Sequence, residues 1–188
     1  MVSLKIMNKN LEIKNPEEIG EYLGKIGIQY ERWNWEKLSS EDASQEEILE
    51  AYAREIGKLK EQGGYVTADV IDINKKTENL GAMLEKFNRE HWHDEDEVRY
   101  TLKGHGLFHI RTEDGDILVI EVERGDLLRV LRGTKHWFNL CSDMEIRAIR
   151  LFQQKSGWTP YYTGSRADEK FQPLCFGPSF IKNAVSRD

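Results

Sequence analysis

The sequence predicts a mainly β protein with N-terminal helices, an α+β chain whose β part is an antiparallel sandwich or barrel. Three observations carry that prediction. Helix caps and helical periodicity fall in the first third; from residue 65 the texture changes to short alternating segments; and the last six of these are separated only by tight-turn signals, with no helix between them. The length of 188 residues lies near the ~150 residues of one domain. No internal repeat, low-complexity tract or linker interrupts it. One domain over 1–188 is therefore expected, with a helical part over about 1–64, the β part over about 65–155 and an irregular tail over 156–188.

Taken in order, Asn15 reads as an N-cap, with Pro16 at the first helical position and Glu17 and Glu18 in the first turn. Ile19, Tyr22, Leu23 and Ile26 repeat at helical spacing, and Gly27 closes the segment. A second helix starts at Ser44 with Glu47 as its capping-box partner, carries Ile48, Tyr52, Ile56 and Leu59 as its apolar stripe, and ends at Gly63 and Gly64. Between the two, the aromatic cluster at 30–36 with Trp33 and Trp35 is read as packing or strand pairing rather than binding. The β-branched run 65–73 is the first strand. A short helix over 80–88 presents Leu80, Met83, Leu84 and Phe87 on one face. Strands then follow at 97–102, 106–112, 116–123, 126–131, 136–141 and 145–152. The tail from Trp158, rich in Pro, Gly and aromatics, reads as irregular chain laid over the domain.

Composition narrows the function. Hydrophobic residues make up 39% and charged residues 32%, a globular composition, and 33 acids against 27 bases give a formal charge of −6. That balance repels phosphate backbones and anionic lipid, so neither nucleic acid nor a membrane is an expected partner. No apolar run reaches the ~18 residues of a membrane span. The start has no apolar signal-peptide core. The two cysteines, Cys141 and Cys175, form no CxxC and are expected to be small buried hydrophobes, consistent with a cytoplasmic location. No exposed heptad or long apolar edge is evident, and a monomer is expected.

The chemistry concentrates in two stretches, His91-Trp92-His93-Asp94-Glu95-Asp96-Glu97 and Gly133-Thr134-Lys135-His136. On a strand alternate side chains share a face, so His91 and His93 project together; Glu97 resumes that parity, and Arg99 follows it. A third imidazole can arrive from His136. Imidazole and carboxylate together suit borderline divalent ions such as Fe, Ni, Zn or Mn, and four protein ligands on an octahedral ion leave adjacent positions for a chelating substrate. A lone His-x-His is usually a surface coincidence, but the combination with Glu97, Gly104 and a distant Gly-x-x-His is far rarer. Arg99 fits either a structural salt bridge or a counter-charge for an anionic substrate, and its place beside the cluster favours the second. His105 and His109 are read as surface or packing histidines, and Asp94-Glu95-Asp96 as a solvated loop.

At these residues the chain resembles the metal-binding cupins, jelly-roll β-barrels, and within them the bacterial acireductone dioxygenases of methionine salvage. His91, His93, Glu97 and Gly104 match the first cupin motif, and Gly125, Gly133 and His136 the second. Further likeness runs through residues 86–100, 106–111, 136–138 and 149–152, Trp158 with Gly164, and 26–33. Leu131 stands where the second motif usually has proline, so the turn before His136 is expected to differ in detail. The resemblance implies one Fe(II) or Ni(II) per chain on His91, His93, Glu97 and His136. It also implies an acireductone, 1,2-dihydroxy-3-keto-5-(methylthio)pentene, cleaved by O2, with Arg99 offsetting the charge of its enediolate. Phe87, Phe138 and Trp158 are the expected walls around the thioether tail. The competing readings are another metal cupin, such as a Zn or Mn isomerase or decarboxylase, and a non-catalytic small-molecule-binding cupin.

Overall fold

The computed structural model describes residues 2–38, 40 and 42–171. The helix signals act locally as expected. The Asn15 side chain accepts hydrogen bonds from the backbone N–H groups of Glu17 and Glu18 and starts α1 (Pro16–Gly24), and the Ser44–Glu47 capping box starts α2 (Gln45–Ala51). The stripe expected to form one helix continues in α3 (Ala53–Gly63), after a break at Tyr52 (φ −103°, ψ 14°). There the buried Tyr52 ring lies 4.9 Å from Tyr100 and 6.4 Å from Trp33. Trp33 and the buried Tyr30 of the aromatic cluster are thus packing, as read from the sequence, whereas Trp35 is exposed beside Arg124. The fourth helix, α4 (Leu80–Phe87), has the expected extent to within a residue.

Twelve strands complete the chain among the described residues: β1 (Ser3–Ile6), β2 (Leu11–Ile13), β3 (Gln29–Arg32), β4 (Thr67–Ile73), β5 (His91–Trp92), β6 (Glu97–Gly104), β7 (Gly106–Arg111), β8 (Ile117–Val122), β9 (Asp126–Val130), β10 (Lys135–Leu140), β11 (Ile146–Phe152) and β12 (Tyr161–Tyr162). They pair antiparallel in a seven-stranded sheet, order β12-β5-β10-β7-β8-β1-β2, and a five-stranded sheet, order β3-β9-β6-β11-β4. This is the jelly-roll barrel of the cupins. Three strands lie in the part read as helical. Of these β1 lies inside the sheet between β8 and β2, with Leu4 and Ile6 buried, because it pairs with β8 more than a hundred residues on. A four-residue strand carries no periodicity that would announce it.

Side-chain alternation assigns the layers. Inward residues such as Phe108, Ile110, Leu118, Ile120, Phe138 and Leu140 join the core between the sheets. Val98, Tyr100, Leu102, Ile149 and Leu151 face outward from the five-stranded sheet, against Ile48 of α2, Ile56 and Leu59 of α3 and Tyr52 between them. Strand β6 is consequently covered on both faces, and its odd residues Glu97, Arg99 and Thr101 point into the barrel as buried polar groups. Gly104 ends β6 at φ 79°, where a Cβ would stand 1.9 Å from the Glu145 carbonyl oxygen; no other residue type fits this crossing of β6 and β11. No helix among the described residues is long and apolar enough to cross a membrane.

Outside the seven-stranded sheet, Leu107, Ile117, Val119, Trp137 and Cys141 form a small cluster packed by Met7, Ala167 and Phe171. The described part of the tail, to residue 171, is therefore less irregular than expected: it supplies β12, a 3-10 turn at Asp168–Lys170, and part of this cover. Cys141 is buried as expected but is disulfide-bonded rather than a free thiol; Cys175 lies outside the described residues. His109 belongs to the same face, stacked on Trp137 at 4.7 Å and 5°. It is fully buried, and among the described residues neither ring nitrogen reaches a hydrogen-bond partner. Burial pushes its pKa down to about 4, against a smaller opposing pull from the Leu107 backbone. A histidine kept neutral in this way contributes full stability above its ordinary pKa of 6.5, and the contribution is lost as pH falls from 6.5 towards 4. His109→Phe keeps the stacking and removes the titration. Urea unfolding of the two proteins should show the variant gaining on the wild type by roughly 3 kcal/mol as pH is lowered through that window; parallel pH profiles would show that His109 does not titrate there.

Candidate metal centre

The two motifs meet because β5 and β10 are neighbours, with His91 and His136 as directly paired residues. Their imidazole centroids are 4.6 Å apart, and that of His93 lies 4.7 Å from His91 and 5.2 Å from His136. The convergence has a different origin from the shared strand parity read in the sequence. Strand β5 ends at Trp92, the connection 93–96 crosses from the seven-stranded to the five-stranded sheet, and Glu97 opens β6 on the far side. The ligand candidates thus come from both walls of the barrel. His91, His93, Glu97 and His136 are each at most 2% exposed, and one potential ligand atom from each lies within 4.8 Å of the others.

Hydrogen bonding sets the protonation of the rings. The Nδ1 atoms of His91, His93 and His136 lie 2.7, 2.8 and 2.8 Å from the carbonyl oxygens of Arg89, Thr159 and Thr134. A carbonyl only accepts, so each Nδ1 carries the proton and each Nε2 of a neutral ring turns a lone pair to the centre. Burial, helped by His136, pushes the His91 pKa down to about 3. Burial opposes ionisation of Glu97, but the Arg99 guanidinium outweighs it and holds the carboxyl well below the usual range. The centre therefore gathers inward lone pairs and a carboxylate. Glu97 Oε2 sits 3.1 Å from His93 Nε2 and 3.0 Å from His136 Nε2, and His91 Nε2 is buried with no hydrogen-bond partner. Neutral rings in that arrangement repel the carboxylate unless a cation lies between them. The spacing is also that of neighbouring ligands at right angles about an ion with bonds of about 2.1 Å. The donor set fits a borderline divalent metal.

Arg99 lies where its parity with Glu97 places it, with Nε 2.5 Å from Glu97 Oε1. Its guanidinium carbon is 5.0 Å from the ring centre of Trp158, 5.3 Å from Phe138 and 5.9 Å from Phe87. All three aromatics singled out in the sequence thus stand around the arginine. Phe108, which sequence reasoning missed, is a fourth ring at 5.8 Å; its signal was available in its alternation with Ile110 on an inward face. Phe87 also packs against His91 at 5.8 Å, and Trp158 stacks on His93 at 6.2 Å.

The expectation of a solvated loop at 94–96 fails for two of its three residues. Asp94 is exposed, but Glu95 and Asp96 are buried. Glu95 accepts from the backbone N–H groups of Gln153 and Gln154, and Asp96 accepts from Tyr65, Arg129 and the backbone of Arg132. Glu90, also passed over, is buried beside His91; it accepts from Arg111, Thr163 and Ser165 and ties the tail to the rim of the site. Charge in a short run says nothing of such partners, which lie 21 to 75 residues away in sequence. His105, by contrast, is exposed and paired with Asp143 at the surface, as read. The turn altered by Leu131 closes normally: Thr134 N–H bonds to the Leu131 carbonyl oxygen, with Gly133 at φ 80°.

A buried cluster of three histidines and one glutamate within a two-sheet antiparallel barrel defines a metal-binding cupin. The ARD/ARD′ family model matches residues 5–160. An acireductone dioxygenase of Sulfurihydrogenibium sp. is 39% identical over 80% of this chain and 88% of its own length, and one of Picosynechococcus sp. is 38% identical over 86% and 92%. Among solved structures, acireductone dioxygenase from Bacillus anthracis with a cadmium ion in its active centre is 36% identical and superimposes with a TM-score of 0.81, covering 86% of this chain and 98% of that one. The chain belongs to the ARD/ARD′ family, and these relatives are acireductone dioxygenases.

Proposed function

We propose that this chain cleaves 1,2-dihydroxy-3-keto-5-(methylthio)pentene with O2, using one Fe(II) or Ni(II) ion held by His91, His93, Glu97 and His136. The observation that carries the reading is the buried set of inward lone pairs on one carboxylate, unstable without a cation, beside a guanidinium whose one hydrogen bond among the described residues is to Glu97. When bound, the ion supplies Lewis acidity and a template for the enediolate oxygens. The remaining work falls to the chain. Backbone carbonyls hold each imidazole in one tautomer and orientation. Arg99 spends its Nε–H on Glu97 and keeps its other N–H groups for the negative charge of the substrate, in a setting too dry to screen them. The rings of Phe87, Phe108, Phe138 and Trp158 exclude water and offer an apolar wall to the methylthio tail. No group in the centre is placed to attack the substrate itself, so the protein acts by positioning.

Where O2 joins the substrate then depends on how the substrate is held, and the ion governs that. The Fe(II) protein is expected to release formate and 2-keto-4-methylthiobutanoate. The Ni(II) protein is expected to release formate, carbon monoxide and 3-methylthiopropanoate. The test is to load one apo preparation with each metal and supply acireductone and O2, then follow oxygen uptake, headspace carbon monoxide and keto acid. Identical products from two active forms would break metal control of the outcome. No oxygen uptake from either would return the chain to the binding cupins.

A further inference from the structure

The connection 93–96 leaves a gap in the strand ladders at the corner of the barrel where the metal centre lies. Pairing of β6 with β9 ends at Glu97 opposite Val130, and β5 meets β10 only at His91 opposite His136. Between these limits the connection faces the turn 131–134, which delivers His136, with no regular ladder to set their register. Two adjacent backbone N–H groups of that turn bridge the gap: Gly133 donates to the His93 carbonyl oxygen at 2.8 Å, and Arg132 donates to Asp96 Oδ1 at 3.0 Å. The other carboxylate oxygen, Oδ2, takes the Arg129 guanidinium at 2.9 and 2.7 Å and the Tyr65 hydroxyl at 3.0 Å. Asp96 is 4% exposed, so its two oxygens divide the work: Oδ2 anchors the carboxylate, and Oδ1 stands in for the missing ladder acceptor.

We infer that Asp96 is a positioning residue, holding the half-site of His91, His93 and Glu97 in register with His136 through its Oδ1. The inference rests on the metal-site reading above. It predicts that losing the Oδ1 bond weakens metal binding out of proportion to stability, whereas unloading Oδ2 does the reverse.

Ni(II) titration of the apo protein against a competing chelator, with thermal unfolding alongside, tests this. Arg132→Pro removes the donor and leaves Asp96, Arg129 and Tyr65 in place; the turn accepts it, because Gly133 at φ 80° makes residue 132 the position where proline is favoured. This variant and Asp96→Ala, which removes the acceptor outright, are both expected to raise the Ni(II) Kd by roughly 10–100-fold, the usual cost of losing a group that orients metal ligands. Their Co(II) forms should also show an altered visible spectrum. Tyr65→Phe is expected to lower Tm while leaving Kd and spectrum as in the wild type. A wild-type Kd in folded Arg132→Pro overturns the proposal, as does a loss of affinity in Tyr65→Phe as large as that in Asp96→Ala. A wild-type protein that binds no Ni(II) strikes the metal-site reading instead.

Discussion

His136→Ala should lose its bound metal and with it all measurable turnover, and the same holds for His91→Ala and His93→Ala. Each removes one of four buried donors, so the loss should exceed the roughly 10–100-fold that follows when only an outer partner of a ligand is removed. The apo variant is nevertheless expected to be no less stable than apo wild type. Its absence relieves a lone pair held 3.0 Å from the Glu97 carboxylate, itself at most 2% exposed. Thermal unfolding with and without Ni(II) separates the two effects. The wild type should gain about 2.7 kcal/mol at an ion concentration a hundred times its Kd, and His136→Ala should gain nothing. A fully metallated and active His136→Ala protein would remove this residue from the ligand set.

Arg99→Met should lower kcat/KM by about 10²–10³-fold, the range seen when a preorganised donor to developing negative charge is deleted. The counter-charge role that the sequence favours for Arg99 would leave the variant with its metal. The 2.5 Å contact with Glu97 Oε1 adds a second consequence. The carboxylate loses the partner that outweighs its burial, so metal affinity falls as well. Activity therefore has to be compared at saturating metal. A metal-saturated Arg99→Met protein with wild-type kcat/KM would reduce Arg99 to a holder of Glu97. Arg99→Lys sharpens the comparison, since it restores a charge without the planar fork, and it should recover metal binding better than turnover.

Much of this was legible in the chain, and the reason is the range of the interactions concerned. Caps at Asn15 and Ser44, the turn glycines and the alternating runs from 65 to 152 act over a few residues, so they appear in the sequence as spacing, and the strands from β6 to β11 fall where that spacing puts them. The four ligand candidates were readable for the same reason, because histidine and glutamate at those intervals have few other uses. What the tertiary structure alone decided depends on partners far apart in the chain. A four-residue segment became the buried strand β1 by pairing with β8, and a crossing between sheets, rather than a shared strand face, brought Glu97 under the histidines. Two acids that read as a solvated loop became buried, because their hydrogen-bond donors come from residues 65, 129, 132, 153 and 154. Burying a carboxylate is costly unless such donors are already in place, and whether they are is a property of the folded chain, set by no local pattern.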